Sequence, residues 1–277
     1  MLLSLLLIPI VAYALAVGAV YMRQESLLFF PEPLAADHAC PHAGVEERFI
    51  PVDGAVLHAL HFRQPNARGL VFFLHGNSGN NAEWLPDTEF YERTGYDVFM
   101  LDYRGFGKST GRITSEAQLH EDVEAAWNVI APEYKGRRIV ITGRSLGSGP
   151  AAFLATKVDG DLLVLVSPYS SVREAAAEQY PWVPMNLLRY PMPTREWLPQ
   201  VKMPVMLIHG EDDAMIPIAH AERLMRYRPD AELLRLAGAG HADVHGAPLY
   251  TQRLVERLAA LGNATAGTVA VSRVTAA

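Results

Sequence analysis

Hydrophobic and polar positions divide the chain into three regimes. Leu2 to Met22, LLSLLLIPIVAYALAVGAVYM, carries no charged residue. Glu25 to Pro33, ESLLFFPEP, is a short apolar patch whose two prolines stop any long helix. From Val45 onward, short strand-like runs alternate with longer helix-like stretches. Glu46 to Val52 and Ala55 to Phe62 read as two strands joined at Asp53-Gly54, a hairpin signal. Leu70 to Leu74, Tyr96 to Leu101, Ile139 to Thr142, Leu162 to Val166 and Val205 to His209 are continuous apolar runs, as in strands buried on both faces. Glu232 to Leu236 is the last strand. Helices are expected over Asn81 to Arg93, Ser115 to Ile130, Leu146 to Thr156, Ile218 to Arg228 and Leu249 to Leu261. This alternation predicts an α/β fold: a mostly parallel sheet with helices on both faces and an antiparallel edge from the opening hairpin. The tail, residues 263–277, is rich in small residues without periodicity and is expected to be disordered. No internal repeat is present.

About 20 apolar residues suffice to cross a hydrocarbon core of roughly 30 Å as a helix. Residues 1–23 are therefore expected to form an uncleaved N-terminal transmembrane helix, kinked at Pro9. The competing readings are a soluble packing helix and a cleaved signal peptide, the latter with Ala12-Tyr13-Ala14 and Ala14-Leu15-Ala16 as small-residue sites. The signal-peptide reading is weakened by the lack of Lys or Arg before the apolar run. Arg23, beside Glu25, is too little charge to orient the span. Residues 24–44 read as a linker or an interfacial collar, with packing on the domain surface as the alternative. Residues 45–262 form the main domain.

Composition narrows the chemistry. With 277 residues, half of them hydrophobic, the chain can bury a sizeable core. A formal charge of −6 without a Lys/Arg cluster gives no support for nucleic-acid binding. Cys40 is the only cysteine, so neither a disulfide framework nor a thiolate metal cluster is expected. The chain has no H-E-x-x-H and no G-x-x-x-x-G-K-[ST], and no metal or organic cofactor is expected.

Gly143-Arg144-Ser145-Leu146-Gly147 fits G-x-S-x-G and sits at a strand-to-helix junction, between IVIT and SGPAAFLA. In a nucleophile elbow the serine occupies the tip of a sharp, strained turn, and a side chain at either glycine would collide with its neighbours. Such a serine needs a base, and the base an orienting acid. Val205 to Asp213, VMLIHGEDD, ends a strand in acids, and Leu236 to His241, LAGAGH, ends the last strand in a histidine. Both are strand C-terminal ends, where an open α/β sheet gathers its site. The candidate set is Ser145, His241 and Asp213, with Asp212 and Glu211 as rivals for the acid and His245 for the base. The oxyanion needs two backbone donors, for which Leu146, after the nucleophile, and Asn77, in the loop after LVFFL, are the candidates. His75 and His209 read as loop-shaping residues.

HGNSGN, DYRGFGKS, GRSLGSG, HGEDDAMIP and GAGH occur in the order found in serine hydrolases of the α/β-hydrolase superfamily, which the stretch from Val45 to Leu261 resembles. More narrowly, the apolar N-terminal span followed by ESLLFFPEP resembles the membrane-anchored "bud emergence" branch. The resemblance implies an eight-stranded sheet of order 1-2-4-3-5-6-7-8. It also implies Ser145, Asp213 and His241 as a triad, Asn77 and Leu146 in the oxyanion hole, and Asp102 to Gly105 as a structural turn. The doubled acid Asp212-Asp213 departs from the usual pattern.

The expected activity is hydrolysis of an acyl ester or thioester through an acyl-enzyme, on a small-molecule or lipid substrate. The alternatives are a peptidase or amidase on the same fold, or a non-catalytic binding module. An insertion at residues 168–200, with Tyr180, Trp182, Val183, Met185, Leu187 and Leu188, is expected to form a small lid with an apolar face.

Overall fold

The strand-like runs pair into one twisted sheet. A computed structural model describes residues 2–38, 40, 44–84, 90, 91 and 93–270, with residues 2–6 and 262–270 described by their backbone alone. Its main-sheet strands are β1 (Val45–Val52), β2 (Ala55–Phe62), β3 (Gly69–Leu74), β4 (Tyr96–Asp102), β5 (Arg138–Arg144), β6 (Leu162–Val166), β7 (Val205–Gly210) and β8 (Glu232–Leu236). Their order across the sheet is 1-2-4-3-5-6-7-8. Strands β1 and β2 pair antiparallel through the turn at Asp53-Gly54, with Val52 opposite Ala55, and β2 runs antiparallel to β4. All other pairs are parallel.

Strand periodicity explains why continuous apolar runs were needed. Alternate residues of β3 serve two cores: Leu70, Phe72 and Leu74 face one side, Val71 and Phe73 the other. Likewise β4 sends Phe99 and Leu101 one way and Val98 and Met100 the other. On the first side the Phe72 ring stacks on Phe99 and meets Trp127 edge-on. Trp127 lies on α4 (Glu116–Ile130), which begins where the Ser115 hydroxyl accepts the Gln118 N–H at 3.1 Å. The other helices are α1 (Leu2–Met22), α2 (Gln24–Leu28), α3 (Asn81–Trp84), α5 (Ser148–Lys157), α6 (Val172–Gln179), α7 (Thr194–Trp197), α8 (Ala219–Tyr227) and α9 (Pro248–Ala270). The structural turn after β4 is held by Arg104, whose guanidinium makes two hydrogen bonds to the buried Asp122 carboxylate on α4, at 2.6 and 2.8 Å.

Three expectations require correction. Of the helix expected over Asn81 to Arg93, Asn81–Trp84 is helical as α3, residues 85–89 and 92 lie outside the described residues, and Phe90, Tyr91, Arg93 and Thr94 form 3-10 turns ahead of Gly95 and β4. The disordered tail expected from Asn263 is helical as far as Ala270, an extension of α9 that its alanines favour; residues 271–277 lie outside the described residues. The third concerns the membrane anchor. The segment is helical over Leu2–Met22, but among the described residues no helix is long and apolar enough to cross a membrane. The helix touches the domain at its C-terminal half, where Val17 is buried and the Tyr13 hydroxyl donates to the Trp182 carbonyl at 2.9 Å, while Leu7, Ile8, Ile10, Val11 and Leu15 are exposed.

The collar is tied to the domain as well. Phe29 is buried and meets the Tyr190 ring edge-on at 5.3 Å. Phe30–Pro31 adds a short parallel bridge to Ser78–Gly79, in the loop after β3. The expected lid consists of α6, a 3-10 turn at Met185–Leu187, α7 and a second 3-10 turn at Leu198–Gln200.

His120 gives the core a pH dependence. Its ring stacks on Phe153 at 4.0 Å and meets Trp197 edge-on. Burial, helped by the Lys157 charge, pushes its pKa down to about 4. Between pH 6.5 and 4 the unfolded chain takes up a proton that the folded chain refuses, so stability falls as pH falls through that window. The expected loss reaches about 3 kcal/mol. Urea unfolding of His120→Phe against pH should therefore show a shallower decline between pH 6.5 and 4 than wild type; equal slopes would contradict this.

Candidate active site

Strand β5 runs into the core and must reverse into α5 within a few residues. Two glycines make that possible by close approach. A Cβ on Gly143 would lie 2.3 Å from the Gly147 carbonyl oxygen and 2.6 Å from the Ala151 Cβ. A Cβ on Gly147 would lie 2.2 Å from the Leu74 carbonyl oxygen. Between them Ser145 has φ +51°, a left-handed conformation that costs a non-glycine residue about 1–3 kcal/mol. The Ser145 carbonyl accepts the Ser148 hydroxyl at 2.7 Å, which helps hold the turn. Helix α5 starts directly after this turn, so its N-terminal end favours negative charge beside the serine.

Three strand ends bring the candidate residues together. Ser145 Oγ lies 3.0 Å from His241 Nε2, and His241 Nδ1 lies 2.7 Å from Asp213 Oδ2. A carboxylate only accepts, so Nδ1 carries the proton and Nε2 presents its lone pair to the serine hydroxyl. Asp213 is buried, and its other oxygen accepts the backbone N–H groups of Met215 and Ile216 at 3.0 and 2.8 Å. Burial alone would raise its pKa, but the nearby His209 ring and hydrogen bonds from the His241 ring N–H and the Ile216 N–H outweigh it. They hold the carboxyl well below the usual range. His209 Nε2 is 3.5 Å from Asp213 Oδ2 and 2.7 Å from the Ile216 carbonyl, to which it donates. His209 thus closes the turn that carries the acid.

The rivals lie elsewhere. Asp212 and Glu211 are exposed, and Glu211 pairs with Arg235. His245 packs on the Tyr250 ring, with centroids 4.8 Å apart. His75 is fully buried against Tyr103 and Phe106, and its carbonyl accepts the Tyr103 hydroxyl at 3.0 Å.

Asn77 and Leu146 line the same cavity as Ser145. The collar fixes the Asn77 loop. The Asn77 carbonyl accepts the Phe30 N–H at 2.7 Å, its side-chain amide donates to the Leu28 carbonyl at 3.0 Å, and the Asn80 amide donates to the Glu32 carbonyl at 3.2 Å. On the opposite side, Tyr169 donates its hydroxyl to the Leu146 carbonyl at 2.8 Å. These tethers fix the Asn77 loop and the Leu146 backbone at the edge of the cavity that Ser145 lines.

The motif reading passed over Arg144, the variable residue before the serine. Its guanidinium donates to the His241 carbonyl at 2.7 Å and lies over the Trp84 ring at 4.5 Å. The only sequence sign was a long cation at a strand end that should be buried, and nothing in the sequence says which carbonyl it reaches.

The cavity in front of Ser145 has a volume of about 350 Å³, and none of its lining residues is charged.

A family model described as serine aminopeptidase, S33, matches residues 65–198. The chain is 34% identical over 196 residues to the alpha/beta hydrolase domain-containing protein aho-3 of Caenorhabditis elegans, covering 69% of this chain and 57% of that protein. It is 31% identical over 197 residues to the human alpha/beta hydrolase domain-containing protein 17B, covering 69% and 66%. The chain thus spans somewhat over half to about two thirds of these two relatives. An uncharacterized protein of Mycobacterium tuberculosis is 30% identical over 251 residues, covering 85% and 88%. Among solved structures, a Pyrococcus furiosus esterase superposes with a TM-score of 0.65 at 19% identity, covering 84% of this chain and 97% of that one. The thioesterase domain from the curacin biosynthetic pathway gives 0.58 at 14%, covering 77% and 98%. At these identities the likeness to the two structures is one of fold.

If Arg144 positions the histidine through its carbonyl, Arg144→Met should slow phosphonylation of Ser145 by a fluorophosphonate about 10- to 100-fold, with the fold intact by circular dichroism. Arg144→Lys, which keeps a donor, should recover part of that rate. Labelling at the wild-type rate in Arg144→Met would show that the contact is only structural.

Proposed function

The chain belongs to the α/β-hydrolase superfamily of serine hydrolases, and from that membership we propose that it cleaves carboxylic esters or thioesters with an uncharged, apolar acyl group. The observation that carries this reading is the relay of Ser145, His241 and Asp213 opening onto a cavity without a charged lining residue.

His241 Nε2 takes the Ser145 proton as Oγ attacks the acyl carbonyl carbon. The π electrons of the carbonyl move to oxygen, and the resulting oxyanion is met by the backbone N–H groups of Leu146 and Asn77. Each such donor is worth about 3 kcal/mol to the transition state. Asp213 stabilises the imidazolium and keeps its orientation. Collapse of the intermediate expels the alcohol or thiol, which takes the proton from His241 Nε2 and leaves the acyl group on Oγ. Water then attacks the acyl-enzyme, giving up its proton to His241. Collapse of this second intermediate returns a proton to Oγ and releases the acid.

The name of the matching family model raises a second reading, removal of an N-terminal residue from a peptide. A free α-ammonium buried in a site needs an anionic or strongly accepting partner, or its desolvation is not repaid. Among the described residues that line the cavity, none is acidic. Esters and thioesters are therefore favoured.

A p-nitrophenyl ester should be turned over by the full-length chain at rates well above those for aminoacyl p-nitroanilides. Ser145→Ala should abolish both turnover and fluorophosphonate labelling, and Asp213→Asn should lower kcat about 10³- to 10⁴-fold. Faster cleavage of aminoacyl amides would favour the peptidase reading. Folded wild type that neither labels nor turns over any ester would mark a binding module.

A further inference from the structure

We infer that the N-terminal helix is part of the active site: α1 and α6 form the two walls of an acyl-chain channel, and Val17 and Val20 set the length of chain it accepts. The inference rests on the hydrolase reading above and adds to it the class of acyl group and the residues that measure it.

Spacing is the first argument. The residues of the N-terminal segment that line the cavity beside Ser145 begin with Val17, Val20, Tyr21 and Gln24. Val17, Val20 and Tyr21, three and four apart, share one face of α1, and Gln24 follows at the start of α2. Helix α6 lines the cavity through Val172, Ala175, Ala176 and Gln179, with the same spacing. Two helices therefore turn matching faces toward one space. The side chains that α6 offers there include the small Ala175 and Ala176, and those of α1 include Val17 and Val20. A helix that merely rested on the domain would not need to share a cavity with the nucleophile.

The second argument is that the segment is fastened where α1 passes into α2. The Gln24 amide inserts into the lid like a strand: its Nε2 donates to the Leu187 carbonyl at 2.9 Å, and its Oε1 accepts the Arg189 N–H at 2.8 Å. Gln24 is buried, so these bonds are shielded from water. One Glu25 oxygen pairs with Arg189 at 2.6 Å, and the other accepts the Tyr190 hydroxyl at 2.8 Å. Arg189 also lies over the Tyr21 ring at 5.2 Å. Together these contacts hold the wall in register with the lid.

Size and chemistry give the class of substrate. At roughly 30 Å³ per heavy atom, the share of a molecule in liquid water, a cavity of about 350 Å³ takes on the order of a dozen carbons. Its lining is uncharged, so the group it suits is a linear or lightly branched aliphatic acyl chain of medium length, carried as an ester or thioester. An acetyl group would leave most of the space unfilled, and the binding gained from each buried methylene would be lost.

The test is the ratio of kcat/KM for p-nitrophenyl laurate to that for the acetate, measured on the full-length chain with fluorophosphonate labelling of Ser145 in the same preparations. The wild-type ratio should be roughly tenfold or more in favour of the longer chain. Val20→Trp, which fills the α1 side, should lower the ratio at least tenfold. Val20→Ala should move the optimum to a longer chain. Ala176→Leu, which narrows the channel from α6, should act like Val20→Trp and stands in for it if the tryptophan variant does not fold. Variants that lose activity equally on acetate and laurate, or keep the wild-type ratio while Ser145 still labels, would overturn the inference. Failure of wild type to label at Ser145 would instead overturn the hydrolase reading.

Discussion

A side chain at Gly147 would meet the Leu74 carbonyl at 2.2 Å, and one at Gly143 would meet the Gly147 carbonyl at 2.3 Å. That contact between backbones is the constraint on which the site depends. It lets β5 turn into α5 in the space of one left-handed serine, which projects the hydroxyl above the sheet edge and sets a helix N-terminus beside it. The strain at φ +51° persists because the flanks are over-determined. The Ser148 hydroxyl holds the turn from one side, and strands β3 and β6 pair β5 on both edges. A looser turn would carry the same residues with the hydroxyl out of line for the imidazole.

The electrostatics follow from the same preorganisation. Asp213 is buried yet held ionised because its two oxygens collect the His241 ring N–H and two backbone N–H groups. A buried carboxylate without those donors would take up a proton and lose its hold on the histidine. Arg144 extends the arrangement in the other direction. It is nearly buried, lies over Trp84, and anchors the His241 backbone, so strand, loop and ring hold the base from both ends. The Asn77 loop is likewise fixed from outside the sheet, by hydrogen bonds from the collar at Phe30 and to its carbonyls at Leu28 and Glu32. The collar is thereby fastened to the loop that carries Asn77.

Local rules made much of the molecule readable in advance. Continuous apolar runs marked the parallel strands, because a strand buried on both faces must be apolar at every position. Asp53-Gly54 marked the hairpin, and Ser115 marked the start of α4. G-x-S-x-G, HGEDD and GAGH lay at strand ends, so Ser145, the acidic cluster and His241 stood out as candidates before any coordinates. The choice among Glu211, Asp212 and Asp213 could not. Neighbouring residues in a tight turn point in different directions, and only the turn closed by His209 and the Ile216 carbonyl sends the third acid inward.

The N-terminal helix is where composition and tertiary structure part. An uncharged run of 21 residues fixed by itself that the segment would be helical and would seek apolar surroundings. Hydropathy measures how strongly a segment avoids water and says nothing of what replaces the water. Contacts far apart in sequence tie the segment to the domain: Gln24 with Leu187 and Arg189, Glu25 with Tyr190, and Tyr13 with Trp182. So the sequence determined the elements, their order and the chemical kinds of group at the site. Tertiary structure decided which acid, which arginine and which face of the first helix would meet the serine, because those depend on side-chain direction across contacts that no local pattern encodes.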